Sequence, residues 1–315
     1  MARVTYLGPA GTFTEAALLR MATTGLIPEV SPEALRPLPI DSTPAALDAV
    51  RNGSADFACV PIENSIDGSV APTLDSLAIG SPLQVFAEIT LDVAFSIVVK
   101  PGRSVAEVRT VAAFPVAAAQ VRQWLATHLP AVELRPASSN GDAAQQVADG
   151  RVDAAVSSKL AADRFGLASL ADGVVDEPNA RTRFVLVGRP GPPPVRTGAD
   201  RTSVVLRIDN VPGALLAALT EFGMRGIDLT RIESRPTRTE LGSYMFFLDC
   251  VGHIDDDAVA EALKALYRRC EDVRYLGSWP TGVPAGAGPP PSEQASRWLA
   301  GLRRGKPDPP RGSKR

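Results

Sequence analysis

Short apolar runs alternate with amphipathic segments over the first 190 residues of the chain. Several runs have the length and composition of buried strands: residues 3–7, 57–60, 111–114, 132–134 and 154–157. The segments between them repeat apolar residues with helical spacing, at residues 12–21, 42–52, 115–129, 141–148 and 158–165. Strands and helices that alternate in this way predict a parallel α/β architecture.

Two longer apolar stretches interrupt this alternation. Residues 83–99 are long enough to cross from one lobe to another, and residues 174–187 return. The pattern predicts two α/β lobes with a cleft between them. The first lobe is expected at about residues 1–80 and 176–189 and the second at about residues 81–175.

A different pattern follows a Pro-rich linker at residues 190–200. Residues 201–280 read as strand, helix, two strands, helix and strand, which is the ferredoxin-like βαββαβ order. The remaining residues, 281–315, are rich in Pro and Gly and carry a basic excess. We expect this tail to be mostly disordered, with a short helix near residues 293–302.

Composition narrows the function classes. The chain has 315 residues, which favours two domains, and a net charge of −2, which indicates neither a nucleic-acid nor a membrane partner. Charged residues interrupt every apolar run, and the N-terminus lacks the apolar region of a signal peptide, so a cytoplasmic location is expected. Three Cys and two His are too few and too scattered for a disulfide framework, a metal site or a histidine triad.

The polar stretch at residues 179–184, Asn-Ala-Arg-Thr-Arg-Phe, directly precedes the apolar run 185–187. It places a hydroxyl, two guanidinium groups and an aromatic ring at the start of a predicted buried strand. Arg presents a rigid set of donors that suits carboxylates. The alternative is a charged loop before a core strand.

The glycine turn at residues 8–11 leads from the first strand into a helix. Thr12 and Glu15 have the spacing of a capping box. A helix N-terminus after such a turn offers free backbone N–H groups and suits an anion, to which Thr12 could add a hydroxyl. The alternative is an ordinary strand-to-helix turn.

A second polar cluster, with Glu63, Asn64 and Ser65, follows the apolar run 57–60. Ligands of open α/β sheets bind at the carboxyl ends of the strands, where this cluster is expected. The alternative is a hydrophilic turn that caps the next helix.

Three of these segments resemble prephenate dehydratase in order and spacing: "YLGPAGTFTEAAL", "ACVPIENSIDGSV" and "TRFVLVGR". The later segments "GALLAALTEFGMRGIDLTRIESRP" and "SYMFFLDCVGH" resemble the ACT regulatory domain attached to that enzyme. The resemblance covers roughly residues 3–280. It implies a two-lobed catalytic domain like a periplasmic binding protein. It also implies conversion of prephenate to phenylpyruvate, water and carbon dioxide without a metal or organic cofactor.

The resemblance makes Thr182 the essential hydroxyl, either as proton donor to the leaving group or as its hydrogen-bond partner. It further implies a set of substrate-binding candidates: Thr12, Glu63, Asn64, Ser65, Arg183 and Phe184. Among these, Arg183 and the helix start at Thr12 would hold carboxylates, and Asn64 and Ser65 would supply neutral hydrogen bonds. Phe184 would pack either against the substrate ring or into the core.

The role of Glu63 stays open at this point. Protonated, its carboxyl could donate; ionised, it would repel a dianion, and we favour a structural role that holds the loop. The chain also departs from the family. Ala180 stands where members often carry Asn, with Asn179 beside it, and Phe95 and Phe114 stand where members often carry His.

For the ACT domain the resemblance implies feedback control by L-phenylalanine. The effector would bind between the turn that opens the first helix and a strand end, through Asp209, Asn210, Val211, Pro212, Gly213, Ala214, Leu215, Glu233, Ser234, Arg235 and Pro236. A site shared between chains predicts a homodimer or homotetramer. Two alternatives remain: an arogenate dehydratase, with the same chemistry on the aminated substrate, and a non-catalytic amino-acid sensor.

Overall fold

The computed structural model describes residues 1–238, 242–284, 286–289 and 293–305. Its contacts divide the chain into two compact units, Met1–Pro194 and Val195–Arg315, and the division falls inside the predicted linker. Among the described residues, no helix combines the length and apolarity needed to span a membrane.

The first unit alternates strands and helices as predicted. In chain order it contains β1 (Ala2–Leu7), α1 (Phe13–Thr23), β2 (Leu35–Ile40), α2 (Thr43–Arg51), β3 (Phe57–Asn64), β4 (Gly68–Ser69), α3 (Ala71–Ala78), β5 (Gln84–Asp92), β6 (Phe95–Val99), β7 (Thr110–Ala113), α4 (Pro115–Gln120), α5 (Arg122–His128), β8 (Glu133–Pro136), α6 (Asn140–Ala148), β9 (Ala154–Ser157), α7 (Lys159–Phe165), β10 (Ala168–Val174) and β11 (Arg181–Gly188). Short 3-10 turns lie at Pro32–Ala34 and Val105–Glu107.

The first lobe is built on a sheet with the strand order β2-β1-β3-β11-β5, and β4 pairs with β3. β1 runs parallel to β2 and β3, whereas β11 runs antiparallel to both β3 and β5. Helix α1 packs on one face, where Leu18 and Met21 share a core with Tyr6, Phe184 and Leu186. β2 was not predicted because Pro37 and Pro39 break its apolar pattern, and prolines are tolerated there because β2 is an edge strand.

The second lobe has the strand order β10-β6-β9-β7-β8. β6 runs antiparallel to β9 and β10, whereas β7 runs parallel to β8 and β9. The α/β class is thus confirmed, but both sheets are mixed, since the strands that cross between lobes run against their neighbours.

Two boundaries differ from the sequence analysis. β5 belongs to the first sheet, so the chain crosses to the second sheet after Asp92 and not near residue 81. The helix expected at residues 115–129 is two helices, because Val121 leaves the helical conformation between α4 and α5.

The second unit contains β12 (Asp200–Arg207), α8 (Ala214–Gly223), β13 (Leu229–Pro236), β14 (Tyr244–Val251), α9 (Asp257–Arg269), β15 (Asp272–Pro280) and α10 (Glu293–Arg303). Its antiparallel sheet has the order β13-β14-β12-β15, which confirms the ferredoxin-like prediction. Phe222 of α8 and Leu266 of α9 pack on Leu206 and Leu248 of the sheet. The helix α10 agrees with the predicted tail helix; the disorder expected around it falls largely on residues outside the described ones.

Candidate active site

Strands β3 and β11 bring Asn64 and Thr182 side by side in antiparallel register. The Asn64 Nδ2 donates a hydrogen bond of 2.9 Å to the Thr182 Oγ1. The Asn64 Oδ1 accepts the backbone N–H groups of Ile66, at 2.8 Å, and Asp67, at 3.1 Å, which fixes the orientation of the amide. Since Asn64 must donate, the Thr182 hydroxyl is the acceptor in this pair. No described residue accepts its proton in turn, so the hydroxyl can donate to a ligand.

Thr182 lies at the boundary between the lobes. It shares the α1-covered face of the first sheet with Phe184, because side chains alternate along a strand. Ala180, two residues earlier, is 2% exposed and packs in the core of the second lobe. Thr182 is therefore held at the wall where the two cores meet, and it is itself 9% exposed.

Ser65 ties the turn after β3 to the start of β11. Its hydroxyl donates to the backbone oxygen of Asn179, at 3.2 Å, and accepts the N–H of Arg181, at 2.9 Å. Both hydrogen-bonding roles of the hydroxyl thus serve the chain itself. The contacts support Ser65 as a support of the Thr182 segment, and a direct bond to substrate stays a prediction.

Arg183 lies on the opposite face of β11 from Thr182. Its guanidinium group is buried and contacts two carboxylates, with Nη2 3.2 Å from Glu63 Oε2 and Nη1 3.4 Å from Glu88 Oε2. A substrate carboxylate would have to compete with both. These ion pairs favour a structural role for Arg183 and Glu63. The pair with Glu63 joins β11 to β3, and the pair with Glu88 joins β11 to β5. Glu88 was missed because it lies 95 residues away in sequence and gives no local signal.

Three aromatic residues near the site belong to the cores. Phe184, a candidate to cover the substrate ring, is 2% exposed in the first-lobe core, which matches the alternative that the sequence left open. Phe95 meets Phe13 edge to face, with ring centroids 5.6 Å apart, and Phe114 packs against the second-lobe core. At the two positions where the family often has His, this chain has apolar packing.

Thr12 caps helix α1 and is 8% exposed. Its hydroxyl donates to the Leu7 oxygen, at 3.1 Å, and accepts the N–H of Glu15, at 3.4 Å. The capping box is therefore half formed, because the Glu15 carboxylate accepts the N–H of Gly11 rather than that of Thr12, at 2.6 Å. In the described part of the chain, the backbone N–H groups of Thr12 and Phe13 meet no protein acceptor.

The glycine turn that precedes Thr12 is pressed against the second lobe. The Ser158 hydroxyl donates to the Gly11 oxygen, at 2.6 Å. Gly141, in the first turn of α6, lies so close to Ala10 that a Cβ would overlap the Ala10 carbonyl oxygen. The lobes thus touch beside the N-terminus of α1, which is where the sequence predicted an anion.

A cavity of ≈ 490 Å³ opens between the lobes. It is lined by Ile66, Asp67, Pro115, Val116, Ala119, Gln120, Arg122, Gln123, Asp176 and Glu177. Gln120, which the sequence did not single out, is 6% exposed, and its Oε1 has no hydrogen-bond partner among the described residues. The lining includes three acidic residues, Asp67, Asp176 and Glu177, and one basic residue, Arg122, a balance that disfavours a dianion. Asp176 instead accepts the backbone N–H groups at the start of α5.

In the second unit, a pocket of ≈ 100 Å³ lies between the start of α8 and the sheet. It is lined by Ile208, Asp209, Asn210, Val211, Ala214, Leu215, Gly242, Tyr244 and Phe246. Most of the predicted turn thus meets at one pocket, and Pro212 and Gly213 complete the turn. Gly213 is the N-cap of α8 with φ +83°, a conformation that favours glycine.

The predicted strand end divides between two faces. Ser234 pairs with Phe246 and Pro236 with Tyr244, so these two residues share the face of the pocket. Glu233 and Arg235 alternate to the opposite face. Tyr244 and Phe246 were missed because an aromatic residue in a strand is more often simply part of the core.

A two-lobed α/β unit carries a hydroxyl and an amide at the interlobe wall, and a ferredoxin-like unit with a small pocket follows it. This arrangement defines a two-unit α/β protein with a candidate ligand site in each unit. Residues 4–192 match the family model described as prephenate dehydratase, and residues 202–266 match that of the ACT domain. The chain therefore belongs to the prephenate dehydratase family.

Individual relatives agree over the whole length. A prephenate dehydratase of Mycobacterium tuberculosis is 78% identical over 308 residues, covering 98% of this chain and 96% of the relative. One of Mycobacterium leprae is 75% identical over 310 residues, with the same coverage of both chains. The crystal structure of an Arthrobacter aurescens prephenate dehydratase in complex with L-Phe superposes with a TM-score of 0.85 at 38% identity, covering 96% of this chain and 99% of that one.

Proposed function

We propose that the chain converts prephenate to phenylpyruvate, carbon dioxide and water, with L-phenylalanine as feedback regulator. Membership in the family and the identity to the mycobacterial relatives support this reaction. The observation that carries it is the hydrogen bond from Asn64 to Thr182, which leaves the Thr182 hydroxyl as a donor at the interlobe wall.

The reaction needs a donor more than a strong base. The ring carboxylate leaves as carbon dioxide, and the electrons of its C–C bond enter the ring. The C–O bond to the ring hydroxyl breaks, and the departing hydroxide takes up one proton as water, so the prephenate dianion becomes the phenylpyruvate monoanion. Thr182 is proposed to donate a hydrogen bond or a proton to this oxygen. A preorganised donor in a site shielded from water is worth far more than the same group in water.

The anionic substrate would be held by backbone groups at the start of α1. The N–H groups of Thr12 and Phe13 meet no protein acceptor in the described part of the chain, and the helix dipole favours negative charge there. The contacts of Arg183 with Glu63 and Glu88 make Arg183 the weaker candidate for this task.

L-phenylalanine is proposed to bind at the pocket of the second unit. The pocket, at ≈ 100 Å³, is smaller than most ligand sites, which run to about 300–1,000 Å³. We infer that a second copy of the chain completes it, which implies a homodimer or homotetramer. The Arthrobacter aurescens relative, solved with L-Phe, supports the effector. A cytoplasmic location is part of the same proposal.

The decisive test is phenylpyruvate formation from prephenate by the purified protein, with and without L-phenylalanine. Turnover that L-phenylalanine lowers would support reaction and regulator together. A higher kcat/KM on arogenate than on prephenate would replace the substrate, in favour of an arogenate dehydratase. Binding of L-phenylalanine without turnover of either substrate would support the amino-acid sensor instead.

A further inference from the structure

Gly11 is held from both lobes at once. Its N–H donates to the Glu15 carboxylate of its own lobe, and its carbonyl accepts the Ser158 hydroxyl of the second lobe, both at 2.6 Å. Its φ is +88°, and a Cβ at this position would come within 2.8 Å of the Ala161 Cβ. The second lobe therefore contacts the backbone of the glycine turn directly.

Glu15 connects this turn to a charge on the other lobe. Its side chain is 4% exposed, and one carboxylate oxygen accepts the Gly11 N–H. The other oxygen accepts the Arg164 guanidinium at 2.7 Å. Burial first, and then the Glu15 carboxylate, raise the pKa of buried Tyr6 above its usual range. A buried carboxylate of this kind needs a positive partner.

Helix α7 and its N-cap residue supply the contacts from the second lobe to Gly11 and Glu15. Ser158 caps its N-terminus, Ala161 lies one turn on, and Arg164 lies in its last turn. Because these residues are three apart in sequence, they lie along one side of the helix. This side contacts the Gly11 carbonyl at one end and the Glu15 carboxylate at the other. Separation of the lobes would break these contacts together.

We propose that Glu15 is a positioning residue and that its ion pair with Arg164 is a strap that couples closure of the lobes to the geometry of the anion-binding turn. The inference rests on the proposed function, because it assigns the strap to the binding of a dianion. Without Arg164, the Glu15 carboxylate would stand uncompensated in the first turn of α1 and would repel an anion at the helix N-terminus. Closure brings Arg164 to Glu15 and removes that repulsion.

The test is a double-mutant cycle on the full-length enzyme. Arg164→Gln should raise KM for prephenate about fivefold with a smaller change in kcat, because an ion pair between a buried and a half-exposed partner lies between the surface and buried cases. Glu15→Gln keeps an acceptor for the Gly11 N–H but removes the charge, so adding Arg164→Gln to it should raise KM little further. Arg164→Lys should restore most of the affinity.

Lys159→Gln is the matched control. Lys159 lies on the same helix and pairs within that helix with Asp163, and both side chains are exposed. It should leave KM within about twofold of the wild type. An equal rise of KM in Lys159→Gln and Arg164→Gln, or additive effects of Glu15→Gln and Arg164→Gln, would overturn the strap.

Hydrogen exchange separates this inference from the reaction itself. Arg164→Gln, but not Lys159→Gln, should speed hydrogen exchange of the peptide that contains Gly11 by about fivefold. The reason is that Glu15, which accepts the Gly11 N–H, loses its ion pair with α7. This difference in exchange is expected even for a protein that turns over no prephenate. Absence of turnover would contradict the proposed function but not the strap. Unchanged exchange in Arg164→Gln would overturn the strap whatever the activity.

Discussion

At the scale of single residues, the role proposed for Thr182 depends on which partner donates the hydrogen bond between Asn64 and Thr182. Asn64 can only donate to it, because two backbone N–H groups occupy the Asn64 oxygen. Thr182→Ala should therefore lower kcat by about 10²–10⁴-fold, the usual contribution of a positioned donor, with little change in KM or melting temperature. Thr182→Ser should retain most of the activity. Steady-state kinetics checks both, and wild-type turnover in Thr182→Ala would remove this hydroxyl from the mechanism.

The orientation of Asn64 can be tested by reversing it. Asn64→Asp replaces the amide donor with a carboxylate acceptor. The Thr182 hydroxyl would then donate its hydrogen bond to this carboxylate, and a negative charge would lie beside the substrate. We expect kcat to fall by about a hundredfold or more, and further than in Asn64→Ala. The control is Asn52→Asp, which makes the same chemical change where the amide oxygen only accepts from Ser54 in an exposed turn. Asn64→Asp with the kcat of Asn64→Ala would show that orientation does not matter.

At the scale of elements, the strand and helix pattern was largely predictable from local periodicity. β9 has the predicted bounds, and α1 is capped by Thr12. The predictions that failed did so because they depend on contacts between elements that are distant in sequence or on the position of a strand in its sheet. β2 carries two prolines that only an edge position permits, and the assignment of β5 to the first sheet depends on its pairing with distant β11.

The candidate site was predictable in composition but not in arrangement. Thr182 and Arg183 are neighbours in sequence, yet strand alternation sends them to opposite faces of β11. Sequence alone could not show which face meets the substrate, because the answer depends on Asn64 and Glu88, which reach β11 from other strands. Likewise, the partner of Glu15 is Arg164, 149 residues away, so the capping-box spacing predicted only half of its contacts.

The contact of α6 with the glycine turn gives a prediction at this scale. Gly141→Ala should favour helix α6 locally by about 1 kcal/mol, yet its Cβ would overlap the Ala10 carbonyl and keep the lobes apart. We expect KM for prephenate to rise about tenfold while the second lobe stays folded. The control is Gly223→Ala in α8, where a Cβ meets nothing within 4 Å. Equal kinetics in the two variants would contradict the closed contact.

At the scale of the whole molecule, the proposed catalytic site and the proposed effector site lie in different units. The hydroxyl and amide proposed to support chemistry lie within Met1–Pro194, and the pocket proposed to bind the effector lies within Val195–Arg315. Loss of regulation should therefore be possible without loss of turnover. The small volume of the pocket in one chain makes the assembled oligomer the form to which L-phenylalanine is proposed to bind.

Ligand-linked stability tests this division. If L-phenylalanine binds the folded oligomer alone, a concentration one hundred times its Kd should stabilise the protein by about 3 kcal/mol and raise the melting temperature by several degrees. Gly213→Met forces a side chain into φ +83°, and Ser234→Ala removes a hydroxyl on the pocket face, so both should reduce the thermal shift and the inhibition while basal turnover stays within about twofold. Thr220→Ala is the control, because its hydroxyl bonds only within α8. Calorimetry, inhibition curves and size-exclusion chromatography with and without L-phenylalanine measure these effects. An undiminished response in both Gly213→Met and Ser234→Ala would place the effector elsewhere in the molecule, and an L-phenylalanine complex that remains a monomer would show that one chain suffices to bind it.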